Sequence, residues 1–322
     1  MVKIGLIGCG MWGRNLARNL KEFGVLETVA DRSIGQADDF ASEFHCKKDS
    51  VDGLIADENL DGIVISTSAP SHDEIAISSL KANKHIYVEK PLSLTYEGAK
   101  AIASAARTAE KQVMVGHLIR YHSAFLELQR QISNGAIGQL RHIQANRLAM
   151  GLIRNTESVL FDLCPHDLSL ILALTDQIPN KVFCSGASHM TPGIVDFLSC
   201  SLGFDHGVSA GIQTSWLCPY KEHRLTITGD DGALVFDDTK PWSKKLTLYK
   251  DIMTLNGEHF IIDRSKPVNI NVVETEPLKD EMRIFIETCK TNSPAPTDII
   301  EALKVQSVLE TMQKQLVDMT QK

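Results

Sequence analysis

The sequence predicts an α/β fold, with a doubly wound parallel sheet first and an α+β part built on an antiparallel sheet after it. Three observations predict it. The chain opens on an apolar run of strand length, Val2 to Ile7, which passes through the turn Gly8-Cys9-Gly10-Met11-Trp12-Gly13 into leucines at helical spacing. From Asp31 to about Val115, strand-like and helix-like segments alternate, the signature of a parallel sheet covered on both faces. From Lys181 to about Glu274, short alternating runs are punctuated by turn residues, as in antiparallel sheets.

The first strand enters its helix through a turn with no room for side chains, which describes a dinucleotide cradle. Gly8 takes the tight bend, Gly10 lets backbone N–H groups approach a pyrophosphate, and Gly13 lets the helix lie close on the strand. Met11 and Trp12 complete the turn at a helix N-terminus, whose free donors suit negative charge. A second strand, Gly24 to Ala30, ends at Asp31, about 20 residues beyond the glycines, where a carboxylate accepts from the adenosine ribose. Asp31 repels a 2′-phosphate, so NAD is expected over NADP; Arg32 beside it is the feature that would welcome that phosphate.

A helix over 36–44, a short helix at 51–56 and the strand Gly62 to Ser66 follow. Thr67-Ser68-Ala69-Pro70-Ser71-His72 breaks that strand at its C-terminal end, where ligands of open α/β sheets collect, so Thr67, Ser68, Pro70 and His72 are expected on the dinucleotide side. Ser71 is a candidate cap for a helix over 73–81, and Asn83 tolerates a left-handed stop. The strand His85 to Val88 runs into Glu89-Lys90-Pro91, and a helix over 96–110 with a strand over 112–115 closes the first domain, 1–118. The second domain, 119–322, starts with a helix over 123–134 and a strand over 140–149, then a helix over 164–175. It continues with strands at 208–216, 224–228 and 234–236 and ends with helices over 278–291 and 298–316, separated by Pro294 and Pro296.

With 43% hydrophobic and 23% charged residues in 322, the chain can bury two cores. A net charge of −7 argues against nucleic acid or an anionic membrane as the main partner. No leader pattern precedes the first strand, and no apolar run approaches about 18 residues, so the cytoplasm is the expected compartment. Seven scattered cysteines without a Cys-x-x-Cys pair are expected as reduced thiols, and His45-Cys46 and His189-Met190 lack partners at ligand spacing, so no metal is expected. Met253 and Trp242 are read as packing residues.

Two groups of residues could carry chemistry. Lys90, at a strand end in the cofactor half, can hold a substrate hydroxyl and stabilise a forming alkoxide; the plainer reading is a solvated lysine. Asp162 and His166, in Phe161-Asp162-Leu163-Cys164-Pro165-His166-Asp167, are spaced to share one face of a helix's first turn, where a carboxylate can fix the imidazole tautomer and His166 can take a proton. The plainer reading makes Asp162 a helix cap and His166 a surface residue.

Taken together, the chain resembles the Gfo/Idh/MocA family of NAD(P)-dependent sugar and cyclitol dehydrogenases. The likeness is carried by Gly8-x-Gly10-x-x-Gly13, Thr67 to His72, Glu89-Lys90-Pro91, Gly116-His117 with Arg120-Tyr121, Asp162-x-x-x-His166, and Phe285 with Pro296-Thr297-Asp298. The resemblance implies an N-terminal Rossmann domain and a C-terminal domain whose large open sheet forms the subunit interface of a homodimer or homotetramer. It also implies that Lys90, Asp162 and His166 are the catalytic lysine, aspartate and histidine, with Glu89 and His117 on the cofactor side and Arg120 and Tyr121 on the substrate side.

Within the family the nearest likeness is to sugar-nucleotide 3-dehydrogenases, which oxidise UDP-N-acetylglucosamine at C3 before a PLP-dependent aminotransferase acts. It rests on Trp12, on Arg147-Leu148-Ala149-Met150-Gly151-Leu152-Ile153-Arg154 and on the stretch from Leu160 to Asp167. Arg147 and Arg154 suit a diphosphate, which guanidinium groups grip with a matched fork, and equally suit Glu157 and Asp162 as ion partners. No further basic cluster is set aside for a uronate carboxylate, which favours a neutral hexosamine. A dehydrogenase of a free sugar or cyclitol, and a non-catalytic NAD-binding regulator, are the alternatives.

Overall fold

The structure, a computed structural model, describes residues 1–151, 153–154 and 157–320. It divides into two compact units, one made of residues 1–121 and 276–307, the other of 122–275 and the chain from 308 onward. The first unit is thus assembled from two stretches of chain, where the sequence reading cuts the chain once, near 118.

In the first unit the strands are β1 (Ile4–Ile7), β2 (Leu26–Ala30), β3 (Lys47–Lys48), β4 (Gly62–Ile65), β5 (His85–Val88) and β6 (Val113–Val115). They form one parallel sheet in the order β3-β2-β1-β4-β5-β6. Helices α1 (Met11–Glu22), α2 (Ile34–Phe44), α3 (Val51–Ala56), α4 (His72–Lys81) and α5 (Tyr96–Ala109) connect them. Strand alternation sends Ile4, Leu6, Val64 and Tyr87 into one buried cluster with Leu16, Phe40 and Phe285, and Ile7, Ile63, Ile65, Ile86 and Val88 into another with Leu80 and Ile102. Both faces are therefore covered, which is why β1, β4, β5 and β6 read as unbroken apolar runs. Asn83 adopts the expected left-handed conformation. Ser71 does not cap α4: its hydroxyl donates to the Ser68 carbonyl and lies against Thr67 Oγ1, both at 2.8 Å.

The second unit carries α6 (Ser123–Ser133), β7 (Leu140–Met150), α7 (Val159–Asp162), α8 (Cys164–Thr175), β8 (Lys181–Ala187), β9 (Phe197–Gly203), β10 (Ser209–Ser215), β11 (Leu217–Gly229), β12 (Gly232–Asp237), β13 (Leu246–Tyr249), β14 (Ile252–Asn256), β15 (His259–Asp263) and β16 (Val268–Asn269). Eight strands form an open sheet in the order β16-β13-β12-β11-β7-β10-β9-β8, antiparallel except where β10 runs parallel to β7. One face buries Ile143, Ala145, Ile212, Leu225 and Ile227, with α8 supplying Leu168, Ile171 and Leu172 to this unit's core. The other face is polar, with His142, Gln144, Asn146, Ser199, Ser201 and Thr226.

Among the described residues strands β14 and β15 pair only with each other, and Met253 on them is 69% exposed, so it is not the packing residue expected. Trp242 does pack, stacked on His122 with ring centroids 4.9 Å apart. The expectation of reduced thiols fails for one pair: Cys184 and Cys200 stand directly opposite in the β8–β9 ladder and form a disulfide, a juxtaposition that register creates and linear spacing hides. The remaining helices are α9 (Pro277–Thr291), which belongs to the first unit, and α10 (Ile299–Thr320). No helix among the described residues is long and apolar enough to cross a membrane.

Candidate active site: a dinucleotide cradle and a held carboxylate

In the first unit, the turn after β1 is shaped by two glycines that nothing larger could replace. Gly8 has φ +109°, and a Cβ on it would lie 2.6 Å from the Ser66 carbonyl carbon. A Cβ on Gly13 would fall 2.0 Å from the Gly8 oxygen, so α1 rests directly on the turn. Gly10 differs: its Cβ direction is open to 4 Å, its φ of −83° is ordinary, and no side chain caps the helix start it forms. The open approach and free helix donors fit a pyrophosphate.

A cavity of about 250 Å³ next to this turn is lined by Gly8, Gly10, Asp31, Arg32, Thr67 and Ser68 among others. Asp31 ends β2 as expected, and its two oxygens accept from Cys9 N and Ser33 N, both at 2.8 Å, which aims the carboxylate into the cavity's rim. The neighbouring charge and burial push the Cys9 thiol up to about 12, burial being the larger cause, so it stays a neutral packing group. Pro70 lies in the short 3-10 turn Ala69–Ser71, and Met11 stands largely exposed on the first turn of α1.

Several residues expected on the cofactor side work as braces. His72 is buried, with Nδ1 2.8 Å from the Pro91 carbonyl and Nε2 3.0 Å from the Thr67 carbonyl, so it ties the loop after β4 to the turn after Lys90. Trp12 Nε1 donates to Glu89 Oε1 at 2.5 Å, joining the glycine turn to the end of β5. Lys90 follows, half-buried, with a cis peptide bond to Pro91. His117 is buried against Glu301, Nδ1 to Oε2 2.8 Å, and Arg120 reaches the same carboxylate at 3.6 Å. Tyr121, expected to meet substrate, is buried with its hydroxyl 2.7 Å from Thr297 Oγ1, and Thr297 in turn donates to the Val115 carbonyl. Glu301 and Thr297 escaped the sequence reading as partners because about 180 residues separate them from His117 and Tyr121.

In the second unit, the helix expected to carry both Asp162 and His166 is broken between them. Asp162 ends α7, and His166 lies in the first turn of α8, with Leu163 at the joint. No side chain caps α8, so Asp162 does not take the capping role. It is instead a buried carboxylate held on both oxygens: Trp216 Nε1 donates to Oδ2 at 3.0 Å and Arg154 Nη2 meets Oδ1 at 3.1 Å. Arg154 also pairs with Glu157 at 2.9 Å.

Arg147, expected to reach a diphosphate, is corrected by the structure: its guanidinium turns inward and forks onto Asp167, with bonds of 2.7–3.2 Å. Strand alternation decides this, since position 147 shares the inward face with Ile143 and Ala145. Leu152 of the same stretch lies outside the described residues. Trp216 was missed; a tryptophan ending a strand gives no sign in sequence of which carboxylate it will meet. No group of three or more metal-ligating side chains occurs among the described residues.

Residues 2–117 match the oxidoreductase family with the NAD-binding Rossmann fold, and residues 125–235 match the GFO/IDH/MocA C-terminal domain. The chain belongs to the GFO/IDH/MocA oxidoreductase family. It is therefore an enzyme, an oxidoreductase of the dehydrogenase type, and its cofactor is NAD.

Curated relatives include a UDP-N-acetylglucosamine 3-dehydrogenase of Acidithiobacillus ferrooxidans, 29% identical over 232 residues that cover 71% of this chain and 72% of that one. A myo-inositol 2-dehydrogenase of Thermotoga maritima is 23% identical and covers 91% and 90%. A 2,7-anhydro-N-acetylneuraminate hydratase of Escherichia coli is 26% identical and covers 74% and 68%. Among solved structures, the Acidithiobacillus ferrooxidans UDP-N-acetylglucosamine 3-dehydrogenase superimposes with a TM-score of 0.88 at 24% identity, covering 99% of each chain, a likeness of fold.

Proposed function

We propose that this enzyme oxidises a sugar or cyclitol hydroxyl, and specifically the C3 hydroxyl of UDP-N-acetylglucosamine, to the ketone. The observation that carries the reading is Asp162, a buried carboxylate fixed on both oxygens just ahead of an imidazole at a helix start. A carboxylate so held is fixed in orientation, which is what a histidine base needs from its partner acid.

NAD, when bound, supplies the acceptor for a hydride. His166 takes the hydroxyl proton, Asp162 sets its orientation and balances its gained charge, and Lys90 steadies the alkoxide as it forms. The glycine turn and Asp31 hold the dinucleotide, and Arg154, paired with Glu157 and Asp162 but with 41% of its side chain exposed, is the arginine left to meet a diphosphate. Arg147 has no part in that, being spent on Asp167. The likeness to a UDP-N-acetylglucosamine 3-dehydrogenase supports the nucleotide sugar. In this reading the enzyme acts in the cytoplasm as a homodimer or homotetramer, and its ketone passes to a PLP-dependent aminotransferase.

A free cyclitol is the second reading, favoured by the myo-inositol 2-dehydrogenase likeness over nearly the whole chain. A panel of UDP-N-acetylglucosamine, myo-inositol and glucose with NAD decides between them, read by absorbance of the reduced cofactor with glutamate and a 3-aminotransferase present to draw off the ketone. Turnover of the nucleotide sugar is expected. Turnover of inositol alone overturns the nucleotide-sugar reading, and silence with every sugar overturns both.

A further inference from the structure

One buried carboxylate in the first unit has no place in that chemistry. Glu281, on α9, is 0% exposed, on the apolar helix face that carries Met282 and Phe285 into the core. Its Oε2 lies 3.1 Å from the Tyr87 hydroxyl, which also stands 2.8 Å from Glu89 Oε1. Its Oε1 is buried with no hydrogen-bond partner among the described residues.

Donor counting fixes where the protons are. Tyr87 has one hydroxyl proton and two carboxylate neighbours, so with both acids ionised one of its two contacts would set acceptor against acceptor. Burial raises the Glu89 carboxyl too, but donors that Glu281 lacks offset this: Glu89 accepts from Trp12 Nε1 at 2.5 Å and from Lys90 N at 3.3 Å, and the Lys90 charge also pulls it down. Among the described residues Glu281 has no donor besides Tyr87. A buried acid in that position protonates instead of carrying charge. Burial first, and then the Glu89 charge, hold the Glu281 carboxyl well above the usual range. Glu89 and Tyr87 are the titratable groups that act on it, and Tyr121 is a further buried phenol that feels it.

We propose that Glu281 is a neutral carboxylic acid whose proton is donated to Tyr87, so that Tyr87 donates to an ionised Glu89, and that this chain positions the glycine turn through Trp12 and the Lys90 strand end. Glu281 is thus a positioning residue, acting through Tyr87 and Glu89 and touching neither cofactor nor substrate. Gly116 leaves the room: a Cβ there would lie 2.6 Å from the Tyr87 hydroxyl and 2.9 Å from Glu89 Oε2. The inference rests on the cofactor assignment and is independent of which sugar is oxidised.

The test uses the cofactor-free full chain and then NAD alone. Infrared difference spectra near neutral pH should contain the C=O stretch of a protonated carboxyl, shifted in D2O and lost in Glu281→Gln. That variant keeps an N–H donor to Tyr87 and should bind NAD within about threefold of wild type by calorimetry. Glu281→Leu leaves the Tyr87 oxygen without its donor and should weaken NAD about tenfold, the scale of one buried hydrogen bond between neutral groups. Should Glu281→Leu not fold, Tyr87→Phe keeps the ring on Phe285 but drops the hydroxyl with its bonds to both Glu281 and Glu89, and should weaken NAD by at least as much. An unchanged infrared spectrum in Glu281→Gln overturns the protonation, and wild-type NAD affinity in the donor-less variant overturns the positioning role. Failure of the sugar panel touches neither readout.

Discussion

Alanine at Gly13 and alanine at Gly10 should fail in different ways, and the structure says how. At Gly13 the added methyl would sit 2.0 Å from the Gly8 oxygen and 2.9 Å from Ser66 Oγ. Gly8 cannot yield, because its own Cβ direction is closed by Ser66, so α1 must withdraw by about 1 Å to restore contact distances. Overpacking of that kind costs about 1–3 kcal/mol, and it carries the helix N-terminal donors away from the pyrophosphate. Gly10→Ala meets nothing within 4 Å at an ordinary φ of −83°. The folded chain should be unaffected or stabilised by about 0.4–1 kcal/mol through the unfolded state. Its methyl nevertheless fills the approach the pyrophosphate uses, so NAD affinity should fall by about tenfold or more, the equivalent of roughly 1.4 kcal/mol. Urea unfolding at constant m-value reads the first effect and calorimetric titration with NAD the second. Gly13→Ala should lose both stability and affinity, Gly10→Ala affinity alone. A Gly10→Ala variant that binds NAD like wild type refutes the placement of the pyrophosphate, and an unshifted urea midpoint in Gly13→Ala refutes the steric argument.

The remaining predictions concern catalysis, the buried ion pair and pH. Lys90→Ala should retain NAD affinity by calorimetry and lower kcat by at least about 10²-fold; unchanged turnover removes Lys90 from the mechanism. Asp167→Ala strands a buried guanidinium and should cost about 3–5 kcal/mol in chemical unfolding, whereas Arg154→Ala, at a half-exposed pair, should cost about 0–1 kcal/mol. A similar loss in both would mean that Arg147 is not the buried partner described. His85 and His223 are held uncharged, each lowered to about 4 by burial first and then by Lys111 and Arg147 respectively. The unfolded chain takes up those protons near its ordinary value of about 6.5, so stability should be full above that pH. It should fall as pH drops towards 4, by up to about 3 kcal/mol per histidine. A urea midpoint that is flat from pH 7 to 4.5, or a slope that does not shrink in His223→Leu, contradicts this.

What the sequence determined by itself is what one short stretch can encode. The glycine turn, the alternation of apolar runs and helices, Asp31 at the end of β2 and the turn at Lys90-Pro91 are legible because a strand, a tight bend and a helix start are set by neighbours in the chain. Covered faces likewise announce themselves in unbroken apolar strands. Tertiary structure alone decided the rest, because it concerns which distant side chain supplies a donor. Asp162 was visible as an acid near a histidine and as an ion partner for Arg154, but its partner Trp216 comes from a distant segment. Arg147 looked like a second diphosphate ligand until strand pleat turned it onto Asp167. Cys184 met Cys200 only through register. Glu281 lies about 190 residues from the Tyr87 hydroxyl that it serves, and its one trace in the sequence is a carboxylate on the apolar face of α9. Chain-local geometry follows from the nearest residues, whereas burial assigns each polar group a partner from wherever the fold brings one.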